Sequence, residues 1–518
     1  MPSSERPSER RLGLPLASLL AFLSAGCVLV LEISAGRLMA PYVGVSLTTY
    51  TGIIGVILAG IAIGAWVGGR AADLYGPVGL LGPTFILGGL GAMASVPLVD
   101  ALGTADLGSG VGAIVLLASI GFGLPATTLS AIAPMVVRAT IVDVATSGSL
   151  VGRLSAAGTL GAISGTFLTG FYLLGTFPTR AIILATGVLL VLVGLSLVWW
   201  ARWRGRDAQA VDDDGPGPGI TLAAVLAGLV VVGGAMLVTP NPCERESAYY
   251  CIRVVEGGAS PSGRTLMLDQ LRHAYVDLAD PNYLEFAYIR WFDDAVRDIA
   301  EARDGNFDAV HLGGGGFTFP RHLAAEYPES RHTILELDPT VHQTAIDELG
   351  LEQSPALNIV IGDARPSVER LADDSADVVM GDAFGSLSVP WHLTTDEFLA
   401  EVDRVLRPGG RYVMNLIDGP ALSFVRAETR SLASRFESVV VMARPGAFDG
   451  VDGGPGGGGN VVIVASHDPI DAESLAALAE RSADQVRIVA GSEAVQEFIG
   501  DAPFLSDDFA PVDQLIGR

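Results

Sequence analysis

The sequence predicts two regions of different solvent class: an all-α membrane bundle of about seven helices, then an α/β region with a Rossmann-like, doubly wound sheet preceded by a small β-hairpin unit. Three observations predict it. Hydrophobic residues make up 50% of the 518, too large a share for an ordinary soluble chain. Before Pro240 the apolar residues gather into runs near the roughly 20 residues that a helix needs to cross a bilayer. Beyond Pro240 the runs shorten and alternate with helical stretches, the pattern of a parallel sheet covered by helices. The expected boundaries are 1–239 for the bundle, 240–305 for the hairpin unit and 306–518 for the α/β domain.

The apolar runs lie at residues 15–38, 52–67, 78–98, 111–137, 150–174, 181–201 and 220–238. The first is too long for a signal peptide and lacks a cleavage-site flank, so it is expected to stay in the mature chain. With the N-terminal Arg6, Arg10 and Arg11 inside, the inner loops hold Arg70, Arg138, Arg153, Arg202, Arg204 and Arg206, and the outer loops mainly Arg37 and Arg180. That asymmetry follows the positive-inside rule. Glu32, within the first run, either couples an ion or proton or pairs with another helix; Arg37, about 140° round the helix, is not an obvious partner. Gly158, Gly161, Gly165 and Gly170 in the fifth run are read as close helix packing. Residues 202–219, rich in Asp, Gly and Pro, are read as a loop.

All 32 basic residues are Arg. The first 239 residues carry 11 acids and 11 arginines, so the net charge of −25 belongs to the rest, with 46 acids against 21 arginines. GC-rich codon usage alone favours Arg, but an acid excess without Lys fits a halophile protein, whose surface carboxylates stay hydrated in concentrated salt. Such acidity argues against nucleic acid as a partner, because phosphate binding needs a basic face. Cys27 reads as a small apolar filler, and Cys243 and Cys251 lack zinc spacing, so no metal is expected. Those two form a bridge only if the chain folds back between them in an oxidising compartment.

Apolar alternation at residues 248–255 and 265–268, around a Gly/Ser/Pro turn, gives the hairpin. Buried strands are expected at 309–312, 332–335, 358–361, 378–380 and 411–415, with 438–443 and 460–465 as a closing antiparallel pair joined by the glycine-rich 450–459. The first of these strands runs into Gly313, Gly314, Gly315 and Gly316 and then a helix. Glycines there let the backbone approach a ligand and leave N–H groups free at a helix start. Glu336, about 20 residues on at the end of the next strand, stands where an acid bonds a ribose diol. Asp363 ends the third strand between Gly362 and Ala364, and Asp382 ends the fourth beside Ala383 and Phe384. Carboxylates at successive strand ends converge on one crevice, so both acids are read as functional ahead of the alternative that they merely cap helices.

The segments ESAYY (246–250), LMLD (266–269), the glycine loop, ELD (336–338), GDA (362–364), and Asp382 with PWHLTTDEF (390–398) and LRPGG (406–410) follow one another in order. In that order they resemble the spermidine synthase (polyamine aminopropyltransferase) family, in the form fused to a transporter-like membrane domain. The resemblance covers roughly residues 244–463. It implies that a primary amine attacks the propyl carbon beside the sulfonium of decarboxylated S-adenosylmethionine, releasing methylthioadenosine. On that pattern Gly313, Gly314, Gly315, Glu336, Asp338, Asp363 and Ala364 hold the adenosyl co-substrate, and Tyr249, Tyr250 and Asp269 border the amine. Asp382 takes the amine proton; a carboxylate beside a cationic substrate both orients the amine and stabilises the developing charge. The chain departs from the family where Gly316 and Gly385 replace acids and Tyr250 replaces Gln. The cofactor half of the pattern is better kept than the acceptor half.

Two other readings stay open: a methyltransferase using S-adenosylmethionine on the same fold, and a transporter whose soluble half is a degenerate ligand sensor. The expected partners are the lipid bilayer and a small-molecule amine, with a homodimer among the expected assemblies. A multi-pass integral membrane protein is expected. Seven crossings from an inside start put the second half outside, where adenosyl cofactors are not expected, so its face stays open. A re-entrant fourth run, broken at Gly121, Gly123 and Pro125, would reconcile the two.

Overall fold

The computed structural model describes residues 12–105, 107–108, 110–141, 147–206, 218–385, 388–449, 459–481 and 484–516. The chain divides into two compact units that meet at Cys251 and Ile252.

The first unit is helical: α1 (Leu14–Val43), α2 (Leu47–Tyr75), α3 (Pro77–Gly103), α4 (Val111–Ser130), α5 (Ile132–Thr140), α6 (Ser147–Leu168), α7 (Leu174–Thr176), α8 (Thr179–Arg206) and α9 (Pro218–Val238). A π-helical turn, Thr169–Leu173, joins α6 to α7. Among the described residues, six stretches are long and apolar enough to cross a membrane, and Leu222–Val238 is a shorter apolar helix. The seven expected runs are therefore six of spanning length and one shorter.

The expected break in the fourth run is displaced. It falls at Ala131, between α4 and α5, because α4 continues through Pro125. A proline leaves the carbonyl four residues back without its helical donor; here Ser95 Oγ donates to Gly121 O at 2.6 Å and fills that need. Residues 202–219 are also not all loop, since α8 runs to Arg206 and α9 starts at Pro218, with 207–217 outside the described residues. Of the four packing glycines, Gly161 and Gly165 lie against α1, where an added Cβ would meet Phe22 O at 2.1 Å and Gly26 O at 2.4 Å. Gly158 has its nearest such contact at 3.8 Å and Gly170 has none within 4 Å. Glu32 is half-buried on α1, with no ion-pair partner among the described residues.

The segment after α9 contains the short strand β1 (Arg245–Glu246) and belongs to the first unit. Cys243 and Cys251 form a disulfide. Arg37 donates to the carbonyls of Tyr249 and, at 3.0 Å, Ser247, and Glu246 Oε2 accepts the Thr179 N–H at 2.7 Å. These ties carry the unit past the expected boundary at Pro240.

The second unit opens with three antiparallel strands, β2 (Cys251–Glu256), β3 (Gly263–Leu268) and β4 (Leu271–Asp277), one more than the expected hairpin. Next come α10 (Ala287–Ala302), β5 (Asp308–Leu312), α11 (Thr318–Glu326), β6 (Arg331–Glu336), α12 (Pro339–Glu348), β7 (Leu357–Ile361), α13 (Ala364–Val368) and β8 (Ala376–Gly381). They are followed by α14 (Asp396–Val405), β9 (Leu406–Asp418), α15 (Ser423–Arg435), β10 (Ser438–Ala443), α16 (Pro445–Phe448), β11 (Gly459–Ser466), α17 (Ala472–Arg481), β12 (Arg487–Ala490), α18 (Ser492–Ile499) and α19 (Val512–Ile516). The large sheet has the order β12-β10-β11-β9-β8-β5-β6-β7. Its five strands from β9 to β7 are parallel, and β10, β11 and β12 continue it antiparallel. The glycine-rich 450–458 lies outside the described residues.

Helices cover both faces of this sheet. Phe398, Phe424 and Phe498 from α14, α15 and α18 pack on one side, and Trp291, Leu323 and Leu475 from α10, α11 and α17 on the other. This is the doubly wound α/β layout, in which strands buried on both faces read as continuous apolar runs. Strand order reverses between β5 and β8, and such a switch point opens a crevice at the carboxyl ends of the strands.

Candidate active site

The crevice forms where β5 and β8 end. Asp382 N donates to Leu312 O at 3.0 Å, so the glycine loop and Asp382 leave the sheet side by side. Gly313 has φ 97°, and a Cβ there would meet Asp382 O at 2.6 Å, so this contact of backbone with backbone requires glycine. The walls come from Gly313 to Gly316, from Leu271 to Ala274 on β4, from Phe286, Tyr288 and Phe292 at the start of α10, and from Asn415 and Asn460 on β9 and β11.

Asp382 is the carboxylate of this crevice. Tyr288 Oη donates to its Oδ2 at 3.2 Å and Asn415 Nδ2 to its Oδ1 at 2.8 Å. Asn415 Oδ1 accepts in turn from Asn460 Nδ2 at 3.0 Å, which fixes the orientation of the amide. Burial raises the Asp382 pKa to about 6, against the opposing pull of the two donors. The Tyr288 hydroxyl is itself held well above its ordinary value by burial and by Asp382, so it stays protonated and donates. His273 is pushed down to about 4 by burial and is neutral. A carboxylate held by neutral donors keeps its charge for an incoming cation.

Glu336 ends β6 behind the glycine loop. Its Oε2 accepts the N–H groups of Gly314 at 2.8 Å and Gly315 at 3.1 Å, and its Oε1 that of Asp338 at 2.8 Å. Burial raises its pKa against those three bonds. Asp338 caps α12 through the Thr340 N–H. Asp363 caps α13 through the Arg365 N–H and faces His392 Nε2 at 3.1 Å, and Ala364 is the buried first residue of that helix. Asp363 therefore does what the capping alternative describes, while its second oxygen meets His392.

The predicted residues are only partly gathered. Gly313, Gly314, Gly315 and Asp382 line the crevice, whereas Glu336, Asp338, Asp363 and Ala364 sit in the adjoining strand ends. Asp269 occupies the left-handed turn between β3 and β4 at φ 53°, beside the crevice-lining Leu271. Tyr249 and Tyr250 belong to the first unit, where the Tyr249 carbonyl accepts from Arg37. Gly316 packs under β4, where a Cβ would lie 2.6 Å from Ala274 Cβ, and Thr318 Oγ1 donates to Tyr275 O at 2.9 Å. Tyr288, Asn415 and Asn460 were not picked out from the sequence. Asn415 had a usable signal, since it closes the expected strand 411–415 at the same edge as the acids; Tyr288 had none.

A family model described as a methyltransferase domain matches residues 310–414. The polyamine aminopropyltransferase of Vibrio vulnificus is 38% identical over 106 residues, 20% of this chain and 36% of that one. The chain thus spans little more than a third of that relative. Polyamine aminopropyltransferase 1 of Ralstonia nicotianae is 26% identical over 438 residues, 78% of each chain, a stretch longer than the second unit. A solved structure of a probable spermidine synthase from Corynebacterium glutamicum is 26% identical, with a TM-score of 0.47 over 51% of this chain and 95% of that one. Both sequence relatives are named as polyamine aminopropyltransferases.

Proposed function

We propose that the second unit is an aminopropyltransferase-type enzyme and that the first anchors it in a lipid bilayer. The observation that carries the reading is Asp382, set at the strand switch beside the glycine loop and held by hydrogen bonds from Tyr288 and Asn415. Decarboxylated S-adenosylmethionine supplies the electrophile, a propyl carbon activated by the sulfonium. Glu336, held by the N–H groups of Gly314 and Gly315, is the group to hold its ribose beside the glycine loop, with Asp363 and Ala364 toward the base. Asp338 acts behind Glu336, through the N–H it donates to it. Asp382 orients the attacking amine and accepts its proton, and Tyr288 and Asn415 hold the carboxylate in place while the charge moves. Asp269, Tyr249 and Tyr250 carry over from the family pattern as acceptor-side residues.

A lipid setting is supported by the exterior of the first unit. Trp66, Phe171, Trp199 and Leu237 are each well over half exposed, in apolar stretches whose charged residues sit toward their ends. In water such a surface would be an aggregation hazard, whereas lipid matches it.

Methyl transfer is the second reading, favoured by the family-model match and by Gly316. The position where aminopropyltransferases carry an acid is closed off here by Ala274. Titration of the full-length protein in detergent with S-adenosylmethionine and with its decarboxylated form separates the two. The first reading predicts tighter binding of the decarboxylated form; equal or reversed affinities favour methyl transfer, and binding of neither rejects both.

A further inference from the structure

We infer that the second unit works on the non-cytoplasmic side of the membrane, so that an export step must supply its adenosyl sulfonium. This rests on the membrane reading proposed above, and otherwise on contacts within the first unit and on chain continuity.

One end of the bundle gathers the start of α1 and the ends of α2 and α5. Leu12 N donates to Ala139 O at 3.1 Å, and Arg138 meets Asp73 at 3.3 Å. The other end gathers the ends of α1 and α3 and the start of α8. There Tyr42 donates to Asp100 at 3.0 Å, and Arg180 pairs with Asp100 at 2.8 Å. The chain leaves this second end along α8 at Thr179 and is back at it by Glu246, which accepts the Thr179 N–H at 2.7 Å. Among the described residues, α9 is the element that makes that return. Its 21 residues, at about 1.5 Å each, reach roughly 30 Å, the thickness of a hydrocarbon core. The shorter apolar helix is therefore a crossing. Among the described residues, six longer crossings and this one make seven, and Leu12 and Cys251 lie on opposite faces.

Two independent signals give the faces their sides. Arg70, Arg138, Arg153 and Arg202 flank the first face, and Arg204 and Arg206 follow in the sequence. The second face has Arg37 and Arg180, one bonded to carbonyls and the other to Asp100. The positive-inside rule puts the first face in the cytoplasm. The second face carries the Cys243–Cys251 disulfide, which persists in an oxidising compartment and not in a reducing one. Charge and redox chemistry agree. Ile252 follows Cys251 directly, so the second unit emerges outside. A sulfonium is a permanent cation that does not cross hydrocarbon unaided, and a transport reaction that carries it out must precede the transfer.

The test uses the full-length protein with a C-terminal epitope in right-side-out membrane vesicles. The expected result is that external protease removes the epitope without opening the vesicles, and that an impermeant maleimide labels Cys243 and Cys251 only after reductant is added. Protection of the epitope until the vesicles are opened, labelling without reductant, or extraction of the chain by alkaline carbonate would each overturn the inference. Methylthioadenosine binding by the same protein in detergent reads the enzymatic proposal separately. An accessible epitope without binding rejects the enzyme and keeps the topology; binding with a protected epitope does the reverse.

Discussion

At the amino ends of β5 and β8, Asp308 and Asp377 are saturated with arginine, whereas at the carboxyl end of β8 Asp382 meets a tyrosine and an asparagine. Asp377 is bonded to Arg303 at 2.9 Å and to Arg407 at 2.8 Å, and Asp308 to Arg331 at 2.7 Å and to Arg407 at 2.8 Å. Burial opposes ionisation of Asp308, but the Arg331 and Arg407 guanidiniums outweigh it and hold its pKa below the ordinary value. Asp382 has no such cation among the described residues, and burial carries it up to about 6. The same side chain is thus a fastener at one edge of the sheet and, on the proposed reading, a cation site at the other. What decides is the charge of the neighbours, not the acid or its place on a strand.

The sharpest way to break this contrast is to neutralise each acid in turn. Asp382→Asn keeps the shape and removes the proton acceptor, so methylthioadenosine release should fall by roughly 10²–10⁴-fold while methylthioadenosine affinity stays within about threefold. Steady-state kinetics and a binding titration check it. Asp377→Asn should do the opposite: Arg303 and Arg407 lose their partner, unfolding free energy drops by about 2–3 kcal/mol in a denaturant titration, and turnover per folded molecule is unchanged. Unaltered stability would remove the fastening role.

Glu336→Gln should weaken methylthioadenosine binding by about tenfold, the effect of one lost charge-assisted bond, with the acid limb of the rate profile unmoved. That limb belongs to Asp382. The rate constant kcat/KM should rise with pH through about 6 as the carboxylate ionises. Tyr288→Phe removes a donor that favours the ionised form, so the midpoint should move upward and activity at neutral pH fall severalfold. The stability sign runs the other way. A folded pKa raised above the unfolded one means that Asp382 weakens the fold progressively from its ordinary value of 3.8 up to about 6. Asp382→Asn should therefore be more stable than the parent by up to about 3 kcal/mol at neutral pH and equal to it below pH ~4.

Asp363 and Asp382 were legible because each follows a short apolar run and a glycine, a purely local pattern, and Glu336 because it closes the next apolar run. Their partners were not. Tyr288 and Asn415 reach Asp382 from 94 and 33 residues away, and only the folded sheet brings them together. The strand β4 was missed because Arg272 and His273 interrupt its apolar pattern, and those are residues that turn toward the crevice. In the first unit the apolar runs were plain, yet the position of the break was not, since a serine on another helix satisfies the carbonyl that Pro125 frees. The acid-poor acceptor side was visible as Gly316; that β4 fills the place of the missing acid was not, because Ala274 lies more than forty residues earlier.

The central claim is that Asp382, alone among these sheet-edge acids, serves a cationic amine beside an adenosyl sulfonium. Its most direct test is methylthioadenosine release by the full-length protein given decarboxylated S-adenosylmethionine and an amine, for the parent, Asp382→Asn and Asp377→Asn. Release is expected from the parent and from Asp377→Asn, with its loss in Asp382→Asn. Equal release by all three, or none from the folded, methylthioadenosine-binding parent with any amine offered, would contradict it.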